Sequence, residues 1–115
     1  MTNQIDSPLP LTESTFFILL SLAPGAKHGY AIVKDIRTLS DERIQLSTGT
    51  LYGALDRMLD LAWIERCDKP DDPDQTGHRL RKYYRLTTLG QRILNAETKR
   101  MSTLVSLARL NTAIE

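Results

Sequence analysis

The 115-residue chain holds one cysteine, Cys67, only two histidines, and just 6% aromatic residues. A single cysteine cannot form an intrachain disulfide framework, which suits a reducing compartment. His28 and His78 lie far apart, with no cysteine or carboxylate at ligand spacing, so no metal site is expected. No apolar run approaches the ~18 residues of a membrane span, the longest being FFILLSLA at 16–23. The opening MTNQIDSPLP lacks both the basic and the apolar segment of a signal peptide. A cytoplasmic protein without membrane contact is therefore expected. There is no glycine-rich phosphate loop and no nucleophile with a matching base. Asp71, Asp72 and Asp74 sit in a proline-broken turn that cannot hold or desolvate a catalytic pair. Neither an enzyme nor a bound cofactor is expected.

What is present is unevenly distributed. Residues 76–113 carry eight Lys or Arg against Glu97 alone, which is +7. Residues 1–75 carry seven against twelve acids, which is −5, and Glu115 completes the net +1. A nearly neutral chain can thus present a basic face suited to phosphates, although a solvated basic hairpin and helix would read the same way. The length suits one domain with a modest core, to which a dimer interface would add burial.

The element order is the strongest signal. Residues 1–10 read as a loose arm. An apolar helix over 11–23 ends at Pro24-Gly25. A second helix over 28–39 has the stripe Tyr30, Ile32, Val33, Ile36 and Leu39. A third, over 47–61, is capped by Ser47 and turns Leu51, Leu55, Met58, Leu59 and Ala62 to the core. Its other face holds Thr48, Gly49, Thr50, Tyr52, Gly53, Asp56 and Arg57, small at the N-terminal end. Small residues let a helix approach a groove closely, and hydroxyls reach phosphates or base edges. A short strand over 63–67, a turn-rich tip over 68–77 and a return strand over 79–86 follow. Alternation puts Arg79, Arg81, Tyr83 and Arg85 on one strand face and Leu80, Lys82, Tyr84 and Leu86 on the other. Thr87 or Thr88 can cap the last helix, and Thr88 with Gln91 matches a capping box.

This order predicts an α+β, mostly α fold: a winged helix-turn-helix over 11–88 with a long C-terminal dimerisation helix over 89–115. Candidate DNA contacts are Ser47, Thr48, Gly49, Thr50, Tyr52 and Arg57 on the third helix and Arg79, Arg81, Lys82 and Arg85 on the wing. Tyr52 also reads as a core tyrosine with a satisfied hydroxyl. Arg57 also reads as a surface partner of Asp56, Asp60 or Glu65. The last helix, ~24 residues and ~36 Å long, would project beyond so small a core. Its 94, 101, 108 spacing is heptad-like. The expected interface between two copies is Phe16, Phe17, Leu20, Leu94, Met101, Leu104, Val105 and Ala108.

HGYAI at 28–32, LSTGTLYGALDRML at 46–59, WIE at 63–65 and RKYYRLTTLG at 81–90 together resemble the PadR-like transcriptional regulators, in particular short members with one C-terminal helix. The resemblance spans roughly residues 11–92. It implies a homodimer that binds an inverted-repeat operator in double-stranded DNA and represses transcription, with the first and last helices making the dimer contact. It places Thr50 and Tyr52 at the DNA and Arg81 and Lys82 in the basic wing. Ala62 stands where the family usually has glycine, and the wing tip is unusually acidic. The last helix lacks aromatics, which counts against a flat aromatic-ligand sandwich. An effector, if there is one, is expected to be an apolar small molecule at the seam between subunits. Plain close packing of small residues there is the competing arrangement. The alternative function is a winged-helix protein-interaction adaptor without DNA binding, against which the basic return strand argues.

Overall fold

The computed structural model describes residues 8–68 and 82–112. Four helices and three short strands follow one another: α1 (Glu13–Leu22), β1 (Lys27–His28), α2 (Gly29–Leu39), α3 (Thr48–Asp60), β2 (Ile64–Cys67), β3 (Tyr83–Leu86) and α4 (Thr88–Thr112). The expected mostly helical α+β winged helix is the architecture observed.

Side chains at the helix starts explain where each begins. Thr12 Oγ1 accepts from Thr15 N–H at 3.2 Å, so α1 starts slightly later than its apolar pattern. His28 Nδ1 accepts from Ala31 N–H at 3.2 Å and caps α2. Ser47 caps α3 as expected, taking Thr50 N–H at 3.2 Å. Thr87, not Thr88, caps α4: its hydroxyl accepts from Gly90 N–H at 3.0 Å. The Thr88–Gln91 capping box does not form, because Gln91 Nε2 bonds Asn95 Oδ1 instead, at 3.0 Å.

The exit from α3 is a Schellman motif. Trp63 N–H reaches Met58 O and Ala62 N–H reaches Leu59 O, both at 3.0 Å, with Ala62 at φ 63°. Ala62, expected on the core face, is therefore exposed beyond the helix end. Leu51, Ala54, Leu55 and Met58 are the residues of α3 that are buried.

The sheet is antiparallel in the order β1-β3-β2, with Lys27 opposite Tyr84, Arg66 opposite Tyr84 and Cys67 opposite Tyr83. The sequence gives no hint of β1. Its pairing makes β3 the central strand, and this corrects one expectation. Tyr83 does not share an open face with Arg85: it is buried, with the His28 ring edge-on at 5.4 Å. Tyr84, on the opposite face, joins the core.

Ile18, Leu19 and Leu22 of α1, Ile32 and Ile36 of α2, the α3 stripe, Ile64, Tyr84, Ile93 and Leu94 form one continuous core. Each such aliphatic side chain contributes about 1.5–3 kcal/mol on burial. Phe16, Phe17 and Leu20 pack against its margin. The first turns of α4 bury Gly90, Ile93, Leu94 and Glu97. From Ser102 to Thr112 every residue is exposed. The helix, about 37 Å long by its rise per residue, extends well past the body and gives the molecule its 58 Å long dimension.

Candidate nucleic-acid interface

The N-terminal half of α3 is a bare, neutral surface. Ser47 Oγ accepts Thr50 N–H and donates to Thr50 Oγ1 at 3.0 Å, which fixes both hydroxyls at the helix entrance. Gly49 and Gly53 lie four residues apart on the side away from the buried stripe. A Cβ at Gly49 would meet nothing within 4 Å, and one at Gly53 only the Arg57 guanidinium at 3.9 Å. The helix backbone is thus open to close approach along this line. Asp56 and Asp60 continue the same face toward the C-terminus and are exposed. Their charges repel phosphate, while the helix dipole and the small residues favour it at the other end. The N-terminal half is therefore the part of this face that is electrostatically compatible with a polyanion.

Tyr52 is neither a core residue nor fully open. It is 38% exposed, yet its hydroxyl lies against Gly29, where a Cβ would come within 2.3 Å of it. The ring bridges α3 to the start of α2. Beneath it lies the Tyr84 phenol, which burial pushes above its ordinary pKa, with the nearby Tyr52 hydroxyl adding to the shift. Arg57 is exposed beside Gly53 and borders a small cleft of about 200 Å³ with Pro8, Pro10 and Trp63. Glu65, one of its candidate partners, is taken by Arg85 at 2.7 Å.

In the wing, Lys82 is exposed immediately before β3. Arg85 is exposed but held across the sheet by Glu65, and this contact raises its already high pKa. Arg79, Arg81 and the acidic tip at Asp71, Asp72 and Asp74 lie outside the described residues. Arg66 is the cation that reading the sequence missed. It is exposed, stands opposite Tyr84 in register, and its charge acts on the Tyr84 phenol. The available signal was parity: Arg66 is two residues after the buried Ile64, so it continues that face past the edge of the core.

Among the described residues, the largest group of exposed aliphatic side chains is on α4, with half-buried apolar residues on α1. Leu94 is already enclosed by its own subunit, and Met101 is half-buried. Phe16 and Phe17, in edge contact at 6.0 Å, and Leu20 are half-buried. Leu104, Val105 and Ala108 are exposed, joined by Leu107 and by Leu110 at 81%, so the open face is wider than the heptad stripe. Among the described residues no His, Cys, Asp and Glu cluster could hold a metal ion, and no helix is long and apolar enough to cross a membrane.

A model of the PadR-like family of transcriptional regulators matches residues 18–96. No curated protein sequence is significantly similar to the chain. Among solved structures, a PadR family transcription regulator from Clostridium difficile superposes with a TM-score of 0.69 at 24% identity, covering 86% of this chain and 97% of that one. A PadR-like regulator from Bacillus cereus gives 0.69 at 21% identity, over 88% and 92%. Bacillus subtilis PadR in complex with operator DNA gives 0.61 at 22% identity, over 71% of this chain and 44% of that one. These likenesses establish the winged-helix fold with a long C-terminal helix.

Proposed function

From the premise that this chain belongs to the PadR-like family of transcriptional regulators, which are not enzymes, we propose that it acts as a homodimeric repressor on an inverted-repeat operator. In this reading the N-terminal half of α3 enters the major groove and the β3 side of the wing tracks the backbone. The observation that carries it is the uncovered Gly49–Gly53 line, bordered by the Ser47, Thr48 and Thr50 hydroxyls and Tyr52. A helix face without side chains approaches base edges more closely than any other, and hydroxyls supply donors to bases and phosphates. Lys82 and Arg66, with Arg79, Arg81 and Arg85, provide the cations, and Arg57 stands at the groove edge. A relative with the same fold has been solved in complex with operator DNA, which supports DNA as the partner. The protein acts where its DNA is, in the cytoplasm.

Two copies would join along Phe16, Phe17 and Leu20 of α1 and Met101, Leu104, Val105 and Ala108 of α4, with Leu94 behind them. Dimerisation would cover the apolar side chains that a single chain leaves in water. An effector would be an apolar small molecule held at this seam between the two copies. It would release DNA only by favouring a dimer with misplaced recognition helices.

Gel retardation against a pool of random duplexes, followed by selection, tests the central reading. A palindromic sequence should emerge. Tyr52→Ala should weaken its binding by about tenfold, in the range of one lost base contact. Lys82→Ala should weaken all duplexes alike and reduce the log–log salt slope by about 0.9. A protein that retards no duplex at low salt is not a DNA-binding regulator.

A further inference from the structure

The helix α2 begins on a cap that can titrate. His28 Nδ1 accepts from Ala31 N–H at 3.2 Å, in a place usually taken by Ser, Thr, Asp or Asn. A neutral imidazole has one acceptor nitrogen, and a protonated one has none. The ring is fixed on two sides. Tyr83, its partner in register on β3, meets it edge-on at 5.4 Å, and Tyr30 lies parallel to it at 6.5 Å. Among the described residues, the charges beside the cap are Lys27 of β1 with Lys34 and Asp35 of α2. Lys27 is tied to Asp35 at 3.7 Å and to the Ser21 carbonyl of α1, and Lys34 stands 5.4 Å from the Tyr30 ring centroid. Two lysines against one acid oppose a further positive charge here, as does the N-terminal end of the α2 dipole. The next residue, Gly29, is buried and adjoins the candidate DNA face. A Cβ there would run into the Tyr52 phenol and meet Leu51 Cδ2 at 3.4 Å, so the first turn of α2 is the surface on which Tyr52 rests.

We propose that His28 is a positioning residue for DNA binding: its neutral imidazole holds the first turn of α2 where it seats Tyr52, and uptake of a proton releases that turn and weakens DNA binding. The inference rests on the reading of α3 as the helix that meets DNA. His28 itself touches neither base nor phosphate in this arrangement and acts through Gly29 and Tyr52. The cap and the imidazolium exclude each other, because the proton would occupy the nitrogen that accepts Ala31 N–H. Linkage then fixes the sign. The seated form is fully present above the ordinary imidazole value of about 6.5 and is depleted as pH falls through and below it.

The test measures affinity of the full chain for the selected palindromic duplex at constant ionic strength, from about pH 8 to about pH 5.5. The parent is compared with His28→Asn, which keeps a capping acceptor but does not titrate. The ratio of the two affinities is read, so that titration of His78, the other histidine, cancels. The parent should fall roughly five- to tenfold relative to His28→Asn across this range, the size of one lost cap. In a Tyr52→Ala chain the same comparison should stay flat to within about twofold, because the released turn then has nothing to seat. Circular dichroism spectra that match at each pH exclude unfolding as the cause. A flat ratio in a parent that binds DNA overturns the role of His28 and leaves the α3 reading standing. A ratio that falls equally in the Tyr52→Ala chain overturns the route through Tyr52. If the parent itself retards no duplex, the α3 reading fails and the role of His28 falls with it.

Discussion

Ala62 keeps its backbone at φ 63°, a conformation that glycine adopts freely and an L side chain resists. The left-handed geometry costs about 1–2 kcal/mol for a residue with a Cβ, against roughly 0.4–1 kcal/mol of extra chain entropy for glycine in the unfolded state. Ala62→Gly should therefore stabilise the protein by about 0.5–1 kcal/mol, seen as a higher urea midpoint with an unchanged slope. A lower midpoint would mean that the methyl group makes contacts worth more than the strain. Glu97 is the opposite case, a charge enclosed at 1% exposure. It accepts from Leu11 N–H at 3.0 Å and from Arg100 at 2.6 and 2.9 Å. The Arg100 hydrogen bond holds its carboxyl below the ordinary value of 4.5, and the Leu11 N–H assists, while burial opposes both. A lowered folded pKa means stability that is present above the unfolded value and lost as pH falls through the folded one. Glu97→Gln should cost about 1–2 kcal/mol at neutral pH, at the low end because Arg100 is partly open to water. The gap to the parent should narrow as pH falls below the ordinary carboxyl value and through the lowered folded one, as read from urea midpoints across pH. A gap independent of pH would show that shape, not charge, matters at this position.

Between elements, the tightest join is the one from the α3 exit to the start of α4. Thr87 Oγ1 donates to Ala62 O at 2.6 Å and to Trp63 O at 3.1 Å, and Thr87 N–H reaches Trp63 O at 3.0 Å. A Cβ at Gly90 would sit 1.9 Å from that same carbonyl, so α4 lies directly on the backbone of the turn. Gly90→Ala should cost about 2–3 kcal/mol, since backbone must move to admit the methyl group. Thermal unfolding followed by circular dichroism would detect it, and an unchanged midpoint would mean the helix can lift without loss. This join also marks the limit of what the chain reveals by itself. The α3 cap at Ser47, the Leu51, Leu55 and Met58 part of its core stripe and the wing order are local patterns, and each was legible in the sequence. The choice of Thr87 over Thr88 was not, because it is made by a carbonyl 24 residues earlier. β1 has two residues, too few for alternation to register, and exists only through its pairing with β3. Tyr83 was assigned to the open face for that reason, since nothing local announces the strand and histidine that cover it. Glu97 reads as one acid among basic residues until Leu11, 86 positions away, is placed on it. On the candidate site, the α3 face was legible from its small residues. The Tyr52–Gly29 contact and the Arg66–Tyr84 pairing needed the third dimension.

At the scale of the whole molecule, a small body carries a helix whose residues from Ser102 to Thr112 are all exposed. Leu104, Val105, Leu107 and Leu110 remain about half exposed or more. A second copy would supply the missing cover at about 25 cal/mol per Å² of apolar surface removed from water. Met101→Asp with Leu104→Asp should yield monomers or insoluble chains, and light scattering that reports the parent's mass would refute α4 as the interface. In a dimer built this way, two recognition helices would stand about 34 Å apart, one turn of DNA. The Thr87–Trp63 bonds and the side-chain-free contact at Gly90 then acquire a mechanical meaning. Such a dimer would be a caliper with its jaws fixed to its handle. Adding one base pair between half-sites shifts the far site by about 3.4 Å and turns it by about 35° around the duplex. A jaw fixed in this way would not follow that rotation, so any tolerance for spacer length would have to come from twisting the DNA.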